Sequence, residues 1–180
     1  MTDPKVAPRG TVGTRFDPIH SAARMRDVDA VRQELAAGVA VDVVNGRAEN
    51  GDGKNTALWF AAQGPRTNGV DIARMLIEAG ADVDKQCEHG RTALHMAAAW
   101  GHADVVQLLL EKGAQMNVVP GGFDYAGTGL HYAAFNSHRP MVEFLLDNGA
   151  DRNVKDTKVN ATAAGWADYA GHTELRDLLQ

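Results

Sequence analysis

Between Thr92 and Ala114 the apolar residues fall into two short helical patterns separated by one glycine. Leu94, Ala97 and Ala98 recur at i, i+3 and i+4, which places them on one helix face. The spacing predicts a first helix capped by Thr92, whose hydroxyl can accept an orphan backbone N–H of the first turn. Gly101-His102 should end it, because glycine tolerates the left-handed geometry of a helix end. A second helix is predicted over 104–112, with Val105, Val106, Leu108, Leu109 and Leu110 as its apolar face and Gly113-Ala114 as its stop. The chain then runs extended into a hairpin-like finger. Small residues at 97 and 98 suit a helix that packs against a neighbouring helix at close range.

Near-copies of this unit fill the chain. Thr92-Ala93-Leu94-His95-Met96-Ala97-Ala98 matches Thr56-Ala57-Leu58-Trp59-Phe60-Ala61-Ala62 upstream and Thr128-Gly129-Leu130-His131-Tyr132-Ala133-Ala134 downstream. Asp17-Pro18-Ile19-His20-Ser21-Ala22-Ala23 and the stretch from Thr162 to His172 are weaker copies at the two ends. The threonines at 56, 92, 128 and 162 are spaced by 36, 36 and 34 positions. A fixed period in this range is the mark of a stacked repeat array. Second helices are predicted over 28–37, 70–79 and 140–148, each stopped by a glycine (Gly38, Gly80, Gly149), with Pro140 at a first position where its missing N–H costs nothing.

The pattern resembles the ankyrin repeat, with its period of about 33 residues and its T-P-L-H-x-A signature. The resemblance covers residues 16–180 and implies an all-α solenoid of about five helix-turn-helix units with β-turn fingers. The units are expected at about 16–44, 45–84, 85–117, 118–153 and 154–180, after a disordered lead-in over 1–15 whose Pro, Gly and charged residues leave nothing to bury. Arg26, Asp27 and Glu34 stand where the family carries Gly, His and a leucine-like residue, and they are read as a polar cap on the first unit.

Composition narrows the function classes. A net charge of −5 over 180 residues disfavours nucleic acid, whose phosphates call for a basic surface, and mildly favours a partner with a basic patch. A single cysteine, Cys87, allows no intrachain disulfide, and no run approaches the ~20 apolar residues of a membrane span. The N-terminus lacks the apolar core of a signal peptide. A cytoplasmic monomer without cofactor or metal is the expectation.

The repeat register also absorbs most candidate chemistry. His20, His95 and His131 fall in the T-x-L-H slot, and His102, His138 and His172 in the slot after the first helix. The resemblance makes both slots structural, with the histidine tying a helix to a neighbouring turn, and only His89 lies outside them. Four convergent zinc ligands are not expected from residues one repeat apart. Cys87 has no matching His–Asn arrangement, Asn50-Gly51-Asp52-Gly53 lacks a calcium-loop series, and Gly121-Gly122 precedes no Lys-Thr pair.

What remains is the aromatics and the insertions. Phe60, Tyr132 and Trp166 should point into the stack, and Trp59 should be half-buried in place of the slot histidine. Trp100, Phe135 and Tyr169 follow the alanine pairs, at positions that the resemblance places on the concave groove. The stretch from Asp42 to Thr56 is 14 positions long and that from Asn117 to Thr128 is 11, against 8 from Asp84 to Thr92, so the second and fourth fingers carry insertions. The expected partner-binding set is Trp100, Phe135, Tyr169 and Asn136 on the helices, Phe123, Asp124 and Tyr125 on the fourth finger, and Glu88, His89 and Arg91 on the third. The resemblance implies a non-enzymatic module that binds another protein through this face, as an inhibitor, an immunity-type blocker or an adaptor. The competing reading is an enzyme or small-molecule binder with a pocket under the inserted fingers.

Overall fold

A computed structural model describes residues 17–45, 54–64, 67–87, 89–121 and 126–180. Ten helices follow one another among these residues, and no strand is formed. The first helices of the five units are α1 (Pro18–Met25), α3 (Ala57–Ala61), α5 (Ala93–Trp100), α7 (Gly129–Phe135) and α9 (Ala163–Tyr169). Each is followed by a second helix: α2 (Val28–Ala36), α4 (Gly69–Glu78), α6 (Ala103–Glu111), α8 (Arg139–Asp147) and α10 (Thr173–Leu179). First helices pack on first helices along the whole stack, second helices pack on each other most closely from α2 through α4 to α6, and one core runs the length of the array.

The leucine of the repeated motif forms its floor. Ile19, Leu58, Leu94 and Leu130 are buried, and Val31, Ile72, Leu76, Val106, Leu109, Val142 and Leu145 meet them from the second helices. The alanine pairs at 61–62, 97–98 and 133–134 have no exposed surface. Their size matters because the helices approach closely: a Cβ at Gly129 of α7 would lie 2.8 Å from Leu94 Cδ2 of α5. The stops also fall where the glycines predict them, with Gly38, Gly80, Gly101, Gly113 and Gly149 all at positive φ.

Histidines stitch the units together in two series. In the motif slot, Nε2 meets a finger carbonyl: His20 with Val43 at 2.8 Å, His95 with Val118 at 2.9 Å and His131 with Ala161 at 3.2 Å. At the start of the second helices, Nε2 reaches back one unit: His102 to the carbonyl of Gly64 at 2.6 Å, His138 to Ala99 at 2.9 Å and His172 to Phe135 at 3.1 Å. Nδ1 of His95 accepts the backbone N–H of Thr92 at 3.0 Å and lies 2.9 Å from its hydroxyl, and His131 repeats this with Thr128. Two donors on Nδ1 leave the proton on Nε2, where the carbonyl needs it. A ladder along the fingers adds a third series. The side chains of Asp42, Asp84 and Asn117 accept the backbone N–H of Asp82, Gln115 and Asp151 respectively, at 3.0–3.1 Å for their nearer oxygens.

Two expectations need correction. Arg26 is not part of a solvated cap. Its backbone takes the left-handed turn at φ 63° that glycine fills elsewhere, and its buried guanidinium donates to the carbonyl of Ala61 at 2.6 Å in the next unit. Asp27 does remain exposed, as the cap of α2, accepting from the Ala30 N–H at 2.9 Å. Trp59 is buried rather than half-buried, edge-on to Phe60, and its indole N–H finds no acceptor among the described residues. The slot it fills therefore makes no bond to a finger among the described residues, as is also true of Gly165 in the fifth unit.

Candidate interaction groove

The face formed by α5, α7 and α9 carries a concave groove of about 1190 Å³. Its wall at the helix ends is Trp100, Phe135 and Tyr169, the three residues that follow the alanine pairs. They are respectively 48%, 42% and 85% exposed, unlike the rest of the large apolar side chains on these helices. Asn136 also lines it, its amide donating to the carbonyl of Ala99 at 2.9 Å, which ties the ends of α7 and α5 together. Arg91 closes the finger end.

The floor includes two residues that the sequence assigns to the stack interior, Tyr132 and Trp166, together with Met96. Trp166 is its centre, edge-on to His131 at 5.2 Å between ring centroids, to Tyr132 at 5.4 Å and to Phe135 at 6.1 Å. Its indole N–H donates to Asp156 Oδ2 at 2.8 Å. The same carboxylate accepts backbone N–H groups from Lys158, Val159 and Ala161, so it both fixes the tryptophan and closes the fifth finger. Burial alone would raise the Asp156 pKa, but these four donors together hold it below its ordinary value of 3.8. Tyr132 is the opposite case: burial raises its phenol above 10.0, and it stays neutral. The signal for this floor was present in the sequence. Tyr132 and Phe135, and again Trp166 and Tyr169, are spaced i, i+3, and Met96 and Trp100 i, i+4, so each pair shares one helix face.

The finger residues divide. Glu88, Phe123, Asp124 and Tyr125 lie outside the described residues. His89 is exposed on the third finger and is not part of the groove wall. Of the expected set, the structure brings together Trp100, Phe135, Tyr169, Asn136 and Arg91. Among the described residues no three of His, Cys, Asp and Glu are grouped to hold a metal, and no helix is long and apolar enough to cross a membrane. Cys87 is a buried free thiol.

Residues 19–120 match a family model described as ankyrin repeats in three copies, and residues 102–146 a second one described as ankyrin repeats in many copies. Over 83 residues, 46% of the chain, it is 37% identical to an ankyrin repeat and KH domain-containing protein of Caenorhabditis briggsae, covering 3% of that protein. It is 35% identical over 114 residues, 63% of the chain, to a probable E3 ubiquitin-protein ligase of Oryza sativa subsp. japonica, covering 24% of it. It is 34% identical over 100 residues, 53% of the chain, to an ankyrin repeat and SOCS box protein of Homo sapiens, covering 17% of it. The chain thus spans less than a quarter of the length of each of these relatives.

Proposed function

Since the chain belongs to the ankyrin repeat family, whose repeats are protein–protein interaction modules, we propose that it binds a partner protein in the groove over α5, α7 and α9. The observation that carries this reading is the row Trp100, Phe135 and Tyr169, left exposed on a floor of rigidly held aromatic rings. Tryptophan and tyrosine dominate interface hot spots, and an apolar concavity of this size is where a partner side chain sheds water. A floor already fixed by the Asp156 network loses little freedom on binding, which favours affinity. We read the module as a monomeric, cytoplasmic, non-enzymatic binder, acting as an inhibitor, an immunity-type blocker or an adaptor. Relatives named as an E3 ubiquitin-protein ligase and as a SOCS box protein favour the adaptor among these three.

Trp100→Ala tests the groove. Nearly half of this side chain is in solvent, so its loss should leave the melting temperature almost intact. Binding of a partner recovered with the wild-type chain should fall about tenfold or more, the usual effect of truncating such an anchor. A Gln107→Ala variant, changed on the exposed side of α6, should bind as wild type. If Trp100→Ala unfolds the chain while residual binding stays normal, the tryptophan is a packing residue and the reading fails.

A further inference from the structure

Resting on the groove reading above, we infer that the occupant is an extended segment of a partner protein with a carboxylate about four residues from a large apolar side chain. Among the described residues, Arg91 and His138 are the only acidic or basic side chains that line the groove. Among the described residues Arg91 forms no ion pair, and its buried Nε finds no hydrogen-bond partner. A guanidinium half-withdrawn from water beside Met96, Tyr132 and Trp166 sits where the medium screens a counter-charge poorly. Its fork geometry matches a carboxylate. The charge that the described lining residues give the groove is thus opposite in sign to the net charge of −5 carried by the whole chain, and the partner segment must answer the local one.

The spacing follows from the helix. Arg91 stands just before the cap of α5 and Trp100 at its last residue, so seven helical rises of about 1.5 Å and two non-helical steps of up to ~3.3 Å separate them by roughly 10 to 17 Å. That is about three to five residues of extended chain at ~3.3 Å each. A carboxylate on Arg91 then sets the apolar anchor between Trp100, Phe135 and Tyr169.

A displayed random peptide library selected against the full chain reads this directly. Enriched peptides should carry Asp or Glu three to five positions from Phe, Trp, Tyr or Leu. A synthetic copy of the strongest peptide should lose about tenfold or more in affinity for Arg91→Met, as expected for a lost hydrogen-bonded charge, and less for Arg91→Lys. Selection against Arg91→Glu should enrich Lys or Arg at the same place. Melting temperatures of the variants are measured alongside; should Arg91→Met lower its own, the charge-reversed selection and the Lys variant decide. Peptides that depend on Trp100 but carry no carboxylate, or that bind Arg91→Met and Arg91→Glu unchanged, overturn this inference alone. If no peptide is enriched, or those enriched ignore Trp100→Ala, the groove reading itself falls.

Discussion

A single histidine shows how much of this fold is decided atom by atom. His95 is buried, its Nδ1 taken by Thr92 and its Nε2–H by the carbonyl of Val118. One ring thus caps a helix and holds a finger 23 residues away. Burial, ahead of the neighbouring charges, lowers its pKa from 6.5 to about 4, so it works as a neutral ring. Removing it strands buried donors and an acceptor, each costing about 1–3 kcal/mol when left unmade. His95→Ala should therefore destabilise the chain by about 3 kcal/mol in urea denaturation. A loss below about 1 kcal/mol would show that water replaces the ring. The T-x-L-H slot announced this histidine, but nothing local announced Arg26. Its role depends on meeting the end of α3, a contact 35 residues away, and an arginine at a left-handed turn reads as a solvated charge until that contact is seen.

At the scale of elements, the boundaries were legible because the residues that start and stop each helix are chemically distinct. Predicted second helices over 70–79 and 104–112 are found at Gly69–Glu78 and Ala103–Glu111, one residue earlier. The groove was legible only in part. The residues after the alanine pairs were placed on it by register, while Tyr132 and Trp166 were given to the core. A ring between two helices can serve both, and a sequence does not say which edge stays uncovered. The alanine pairs allow a sharper statement. Ala97 has no exposed surface, and first helices approach to within van der Waals contact at Gly129. Ala97→Leu should overpack the interface between neighbouring units and cost about 1–3 kcal/mol. An unchanged denaturation midpoint would contradict the packing.

For the whole molecule, the buried histidines set a common dependence on acid. His20, His95 and His131 all have pKa values lowered chiefly by burial. Below pH 6.5 the unfolded chain takes up protons that the folded chain refuses, so stability is complete above that pH and falls as pH drops toward about 4. His95 alone accounts for roughly 3 kcal/mol across this window. Asp156 acts later with the same sign, since a carboxylate lowered from 3.8 loses its contribution only as pH falls below that value. Urea midpoints should be level above pH 7 and decline steadily from pH 6.5 to 4.5; a level midpoint down to pH 4.5 would show that these rings are hydrated. Trp59 stands outside this behaviour, having no proton to gain and, among the described residues, no finger bond to lose. Its helix α3, five residues long, is also the shortest of the first helices. In an array whose units touch only their neighbours, such a seam acts as a mechanical fuse. Under tension along its axis the stack should part first between the second and third units, where α3 and α5 share the thinnest contact of any two neighbouring first helices and His102 to Gly64 is a described bond across it. A force–extension trace in which another junction breaks first would overturn this.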